Sequence, residues 1–485
     1  MFTLIDCSPN KKALVWDVTS SGKRGGNLKE VEAVLEAIGF SVTNTKPNDL
    51  SEIDLIWTYD LHLQPFNEGY FDNITKTQRV NHFRQTVILG QKHKISKAFV
   101  SLVPMSFNLP EDFDQWKTVA SSENAQGLKW VTKSKGHRQV KLIPNPTELT
   151  INKLKEAGVD VGDTMIQRFI DKPLLIDNHK FDFGIYVLVT SILPTRAYIH
   201  ETRFVIRFCQ EPYEPFDPDN RMSYVIEEKY KPAEEIPSME KYFKRKLHRF
   251  AAFQAYLQDN GYDEKDFFAK VEDIIIKSLY LSKRRWFPAV EKAIDNESIA
   301  DDGSSKNFEL LRFDFIVEDL GKGKLRPWLM EANFSPNLLA KQHSIGIRQL
   351  IFDTFSTLGA LRHRKPWEEE EEGKENGEFN IEDLPKLGCD KICKGDDKKE
   401  DFCKICSAKV MPKHVAGMIR QTISEHLGKR HFRRIIPMEP TKKMSWKEYM
   451  KKSDDVSLDT QSNIDKTLAT WFYLACQMQS DWCGI

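Results

Sequence analysis

Nowhere in the 485 residues does an apolar run approach the roughly 18 residues that a membrane-spanning helix needs. The opening stretch MFTLIDCSPNKKALVWDV lacks the long apolar core of a secretory signal, so a soluble, cytosolic protein is expected. Net charge is missing as well: 71 Lys and Arg stand against 71 Asp and Glu. That balance removes any global pull toward nucleic acid or a membrane surface, and only local patches remain to attract a partner. No nucleic-acid motif is present. Cysteine is sparse, eight in all, too few for a disulfide scaffold, and a cytosolic setting would keep them as thiols.

What is there begins with an α/β pattern. KALVWDV and IDLIWTYD read as strands, and NLKEVEAVLEAIGF between them reads as an amphipathic helix stopped at Gly39. SSGKRGGN lacks phosphate-loop spacing and reads as a turn. KTQRVNHFRQTVILGQKHKISKAF is expected to be a cation-rich helix, and the prolines of PMSFNLP mark a loop or a sheet edge. From Lys129 onward a series of strand-like runs, two helical runs and two further strands imply one mixed α+β unit. The expected division is a small α/β domain over 1–100, a catalytic-type core over 101–363, an acidic linker over 364–384, a four-cysteine segment over 385–410 and a basic, mainly helical region over 411–485. The linker WEEEEEGKENGEFN is too polar to bury an ordering core.

One run carries a chemical puzzle. RPWLMEANFSPNLL is apolar up to Met330 and then presents Glu331 and Asn333, two apart and so on one strand face. The preceding strand, FELLRFDFIVE, sets Asp314 among Phe313, Phe315 and Ile316. Three oxygen donors without His or Cys suit a hard cation, Mg²⁺ over Zn²⁺, and Mg²⁺ with few protein ligands commonly bridges nucleotide phosphates. ATP is the implied partner; hydrogen-bonded polar residues at a strand end are the plainer alternative. Lys133 and Lys180 lie in strand-like runs where an ammonium needs an anion or solvent. Lys180 shares a face with Asp182, so either an ion pair or a phosphate contact would satisfy it. In MIQRFIDKPLL an apolar strand ends before Pro173, and its backbone is placed to read adenine beside Phe169 and Ile170.

CDKICKGDDKKEDFCKIC supplies Cys389, Cys393, Cys403 and Cys406 as two close pairs. Four thiolates suit a structural Zn²⁺, although the first pair is spaced by three residues and the loop is short for the usual template; free thiols in a flexible stretch are the other reading. Cys7, Cys209, Cys476 and Cys483 are too scattered in sequence to interpret.

The stretches QRVNHF, WVTKS, QRFIDKPLLI, KFDFGIYVLVTS, FELLRFDF and PWLMEANFSPNL together resemble the tubulin tyrosine ligase-like family, in its order and across most of residues 1–360. The resemblance implies an ATP-grasp fold after a small α/β N-terminal domain. It implies ATP, Mg²⁺ and an acyl phosphate that an amine attacks, with tubulin or microtubules as partner, their acidic tails as acceptor and glutamate as the amino acid added. By the same resemblance Lys133, Lys135 and Lys180 contact phosphates. Gln167, Arg168, Phe169 and Ile170 form the adenine hinge, Asp182 lies beside the nucleotide, Arg207 and Glu331 are catalytic, and Asp314, Glu331 and Asn333 hold Mg²⁺. A cytoplasmic, cytoskeletal setting follows, the cilium included. The departures are local. Gly184 stands where the family pattern KFDLR has arginine, with Arg203 and Lys135 the candidate replacements. His200 and Glu201 interrupt a YREG-like segment, and the loop KSKGHRQV is short. Those departures leave an inactive ATP-binding regulator as the alternative to an active ligase. Of the cation-rich runs KYFKRKLHRF, SKRRWF and GKRHFRRIIP, the first reads foremost as the wet face of an amphipathic helix. If the substrate is an acidic tail, such patches would steer it, and FRRIIP in the last also resembles a family segment found after the catalytic core.

Overall fold

The computed structural model describes residues 11–17, 25–45, 47, 49–59, 78–83, 90, 92–122, 127–134, 140–226, 229–286, 306–338, 344–361, 379–380, 403, 410–411, 413–441, 443–457, 461–478 and 483. Strands Lys12–Trp16, Ser41–Thr43 and Leu55–Thr58 pair in parallel. The helix Lys29–Ala37 buries Val31, Val34 and Leu35, one stripe at helical spacing, and the chain leaves it through Gly39 at a positive φ.

The helix expected over KTQRVNHFRQTVILGQKHKISKAF is corrected. Arg79–Asn81 is a buried strand, and among the described residues of the run helix is found at Gly90 and over Lys92–Ala98. Its place between two strand edges decides the matter. Leu55–Ile56 pair with Arg79–Val80 on one side, and Asn307–Phe308 pair with Val80–Asn81 on the other. The Gln78 amide fixes the entry by donating to the carbonyls of Leu50 and Ile53. Through this strand the N-terminal parallel sheet runs without a break into a large antiparallel one.

The antiparallel part is built on the hairpin His179–Ile192 and Thr195–Phe208, flanked by Asn307–Asp319 and then Leu325–Asn333. RAYIH and FVIRF, two separate runs in the sequence, belong to one strand. Alternation does the sorting. Phe181, Phe183, Ile185, Phe204, Ile206, Phe208, Phe313 and Phe315 turn to one side and form the main core with the helices Pro237–Lys244, Arg249–Asp259 and Glu264–Trp286. Phe315, Phe183, Phe204 and Phe253 make a continuous column with ring centroids 5.2, 5.3 and 5.7 Å apart. Asp182, Gly184, Arg207, Arg312 and Asp314 are left on the opposite face.

A second, four-stranded antiparallel sheet has the order Ser106–Asn108, Thr164–Arg168, Trp130–Ser134, Val140–Ile143. The proline-flanked Ser106–Asn108 is an edge strand, as the prolines of its segment suggest. Arg168 ties this sheet to the large one by an ion pair with Glu318 at 2.5 Å.

The C-terminal residues are bound into the same body. Phe432–Ile436 pairs with the hairpin strand from Ala197 to His200. On the helix Lys413–Gly428, buried Glu425 accepts from Arg196 Nε at 3.0 Å and from the Tyr198 hydroxyl at 2.7 Å. On the helix Asn463–Met478, Asp465 meets Lys283 at 2.5 Å, both buried. The run GKRHFRRIIP is therefore no open basic patch throughout. Arg434 is buried over the Phe472 ring at 3.4 Å, and Arg433 pairs with Glu272 at 2.6 Å and Glu201 at 3.1 Å.

The expectation that all cysteines stay reduced is also corrected. Cys476 and Cys483 form a disulfide. Of the candidate zinc ligands, Cys389, Cys393 and Cys406 lie outside the described residues. Cys403 is buried among Val415, Ile419 and their neighbours, and its sulfur is in a disulfide, so a four-thiolate zinc would require it reduced. Within the acidic segment only Phe379–Asn380 is described; it pairs with Val410–Met411.

Candidate functional site

The site lies on the polar face of the antiparallel sheet, and a β-bulge sets its phase. Asp314 stands opposite Glu331, but Phe315 stands opposite Leu329, so Met330 is one residue too many. Straight alternation would turn Leu329, Glu331 and Asn333 the same way. The bulge lets Leu329 remain in the core while Glu331 and Asn333 turn to Asp314. The Asn333 amide then lies 3.1 Å from Asp314 Oδ2 and 3.2 Å from Glu331 Oε1, so three oxygen-bearing side chains converge.

Cations surround them. Arg312 grips both oxygens of Asp314 at 2.7 Å, and Arg207 grips both oxygens of Asp182 at 2.8 and 2.7 Å and touches Asp314 at 3.4 Å. Lys92 reaches Glu331 at 3.3 Å. Burial would push the Glu331 carboxyl up, but Lys92, Asn333 and Arg312 pull it down to about 2. Burial holds Asp182 above the usual carboxylate range despite Arg207.

Two lysines carry the opposite strain. Lys133 donates to Gln167 Oε1 at 2.5 Å; burial first, then the neighbouring Lys92 and Lys180, lower its ammonium to about 7. Lys180 is buried against the Phe169 ring at 4.3 Å and makes no ion pair among the described residues. Burial lowers it to about 8, with Cys209, Asp182 and Asp171 offsetting only part of that. The Lys180–Asp182 ion pair weighed from the sequence is not made, because Arg207 holds Asp182. Five cations, Lys92, Lys133, Lys180, Arg207 and Arg312, thus face three carboxylates, Asp182, Asp314 and Glu331. The balance suits a polyanion accompanied by a hard cation.

Gln167 and Arg168 end the strand Thr164–Arg168, and Phe169 and Ile170 follow it. The amides of Arg168 and Phe169 donate to the carbonyls of Met105 and Lys129. Among the described residues the Ile170 amide has no backbone partner. Phe169 packs on Phe216 and Tyr224, and Ile170 packs with Ile316, Trp328 and Met330. Lys92, Lys133, Gln167 and Met330 line one small cavity. Lys135 lies outside the described residues.

Arg203 does not fill the place opposite Gly184. Its guanidinium packs over Gly346 instead. His200 is turned away as well: its Nδ1 accepts from the Arg203 amide at 2.9 Å, so Nε2 carries the proton and donates to Asp353 at 3.1 Å. With that tautomer the His200, Asp353 and His431 cluster is a hydrogen-bonded brace and no metal cage. Sequence reasoning missed Arg312 and Lys92. Arg312 sits two residues before Asp314, so the shared strand face was there to be read. Lys92 has no such signal, because only tertiary packing brings its helix to Glu331.

Residues 66–364, more than half of the chain, match the tubulin-tyrosine ligase family. The chain is similar to the probable tubulin polyglutamylase ttll-15 of Caenorhabditis elegans, 29% identical over 475 residues that cover 94% of this chain and 84% of that protein. It is 28% identical to the tubulin polyglutamylase TTLL5 of Mus musculus, over 68% of this chain and 24% of that one. It is also 28% identical to the tubulin polyglutamylase TTLL6 of Homo sapiens, over 67% and 36%. The chain thus spans most of the worm relative and a quarter to a third of the two mammalian ones.

Proposed function

The chain belongs to the tubulin-tyrosine ligase family, and from that premise we propose that it is an ATP-dependent carboxylate–amine ligase of the ATP-grasp type that adds glutamate to tubulin tails. The observation that carries this reading is the convergence of Asp314, Glu331 and Asn333 beside half-buried Lys133 and buried Lys180. The printed names of the relatives, tubulin polyglutamylases, support glutamate and tubulin. With no membrane-length apolar helix among the described residues, the cytoskeleton is the proposed setting.

In this reading the γ-phosphoryl group passes from ATP to a substrate carboxylate and ADP leaves. The amino nitrogen then attacks the acyl carbon and phosphate departs, leaving an amide and a proton. Asp314, Glu331 and Asn333, an all-oxygen donor set drawn together by the bulge, fit Mg²⁺ and would hold it; when bound, it neutralises phosphate charge. Lys133 and Lys180 meet phosphate oxygens, and their incomplete pairing is what an incoming anion would relieve. Phe169 and the Ile170 amide face the base, while Gln167 orients Lys133. Arg168 holds the hinge to the large sheet through Glu318. Arg207 fixes Asp182 next to Asp314.

A second reading, a nucleotide-binding regulator without turnover, is favoured by one observation. His200 stands in a segment that departs from the family pattern, and it is committed to Asp353 and offers the site nothing. Incubation with ATP, Mg²⁺, labelled glutamate and microtubules separates the two, with a parallel nucleotide titration. The ligase reading expects label on tubulin and a fall of about 10²–10³ in rate for Glu331→Gln. Nucleotide binding without label, with glycine and tyrosine also tried, would favour the regulator.

A further inference from the structure

Gly184 has no backbone reason to be glycine. It lies inside a regular strand, paired with Val205 on one side and Asp314 on the other, and its φ is not in the left-handed region. Its constraint is space. A Cβ there would come 2.6 Å from Asp314 Oδ1 and 3.0 and 3.2 Å from Cδ and Cγ of Arg312. The stem of Arg312 lies across the gap that glycine leaves.

The head of that side chain is placed with equal economy. Nε and Nη2 each meet one oxygen of Asp314 at 2.7 Å, a fork on a fork. Asp314 is nearly inaccessible, so the pair is fixed in direction as well as in distance. Nη1 has no partner among the described residues and remains for an anion. Arg207 approaches the same carboxylate from the other strand of the hairpin. The face therefore holds two guanidiniums that converge on Asp314 Oδ2, at 2.7 and 3.4 Å.

We propose that Arg312 is the arginine that positions Asp314 and meets the anionic half of the nucleotide, reaching the site across Gly184 from the neighbouring strand. The proposal rests on the ligase reading and deepens it, because it names the cation that the family pattern, with arginine on the strand position of Gly184, would otherwise lack here. Arg312 acts on the metal-binding side through Asp314, as a positioning residue. Its charge serves the triphosphate and then the acyl phosphate. The two arrangements, arginine at 184 over a small residue at 312 or the reverse, put a guanidinium over the same spot from adjacent strands, and only one of them fits at a time.

The test is an exchange. Wild type, Gly184→Arg, Arg312→Gly, Arg312→Lys and the double variant Gly184→Arg/Arg312→Gly are compared for affinity toward ATP with Mg²⁺, for labelled glutamate incorporation, and for melting temperature without nucleotide. Arg312→Gly is expected to lose about 10²–10³ in kcat/KM. Arg312→Lys keeps the charge without the fork and should fall between it and wild type. Gly184→Arg alone, with two guanidiniums in one place, should be low as well, and the double variant should regain at least about tenfold over Arg312→Gly. Unchanged affinity and turnover in Arg312→Gly would overturn the proposal. So would a double variant that melts like wild type and stays as low as Arg312→Gly. If wild type binds nucleotide but incorporates nothing, the ligase reading fails alone, and the same order of affinities decides the role of Arg312. If wild type binds no nucleotide, both fall.

Discussion

Lys133 and Lys180 differ from surface lysines in what surrounds them: aromatic faces, one amide oxygen and each other, but no ion pair of their own among the described residues. That makes nucleotide affinity sensitive to pH in a definite direction. At pH 8 the Lys133 ammonium, held at about 7, is mostly neutral. A triphosphate beside it would raise that value, so binding takes up a proton. Affinity should therefore fall from pH 7 to pH 9 by up to about tenfold per pH unit for each proton taken up. Calorimetric titration in two buffers of different ionisation enthalpy measures the uptake directly, and a flat profile would mean that Lys133 does not meet the anion. Glu331, held at about 2, stays charged across this range and contributes no slope. The chemistry of these residues was legible because each is a polar group in an apolar run. Their partners were less so: Asp182 reads as the counter-ion of Lys180 from sequence, yet Arg207, 25 positions on, takes it.

At the scale of elements, period two decides most of what sequence can reveal. Phe181, Phe183 and Ile185 against Lys180, Asp182 and Gly184 is a plain alternation, and the core and the site fall on the faces it assigns. The bulge at Met330 is invisible to that rule, because an extra residue changes the phase of a strand without changing its composition. The stretch around Arg79 fails for a related reason: its cations and apolar residues suit a helix, but two strand edges, at Leu55 and at Asn307, 252 positions apart in sequence, claim it, and the His82 and Glu309 pair marks the seam with the second. The Phe column gives this level its own prediction. Phe183 touches Phe204, Phe315, Phe253 and Phe267, so Phe183→Ala should cost about 3–5 kcal/mol of stability by chemical denaturation. A loss under about 1 kcal/mol would show that the column is loosely packed.

For the whole molecule, the C-terminal helices are fastened to the core by buried charge and not only by apolar contact. Lys283 and Asp465 are 1% and 2% exposed, and Asp465 also accepts from the Thr195 amide at 2.7 Å and from Ser462. Removing the cation as Lys283→Met strands a carboxylate that keeps only neutral donors. A loss of about 3 kcal/mol is expected, read as a lower melting temperature, with protease sensitivity appearing first beyond residue 440. An unchanged melting temperature would indicate that water already reaches Asp465.

The unbroken sheet has a further consequence, in the order in which the chain can fold. Val80 and Asn81 pair with Asn307 and Phe308, so the N-terminal strands leave the ribosome long before their neighbour exists. At about 5–20 residues per second the wait is roughly ten to forty-five seconds. Throughout that interval one open strand edge is available to any other chain with an edge of its own. A protein of this design should therefore depend on chaperone cover during synthesis, and should refold from denaturant in lower yield as its concentration rises.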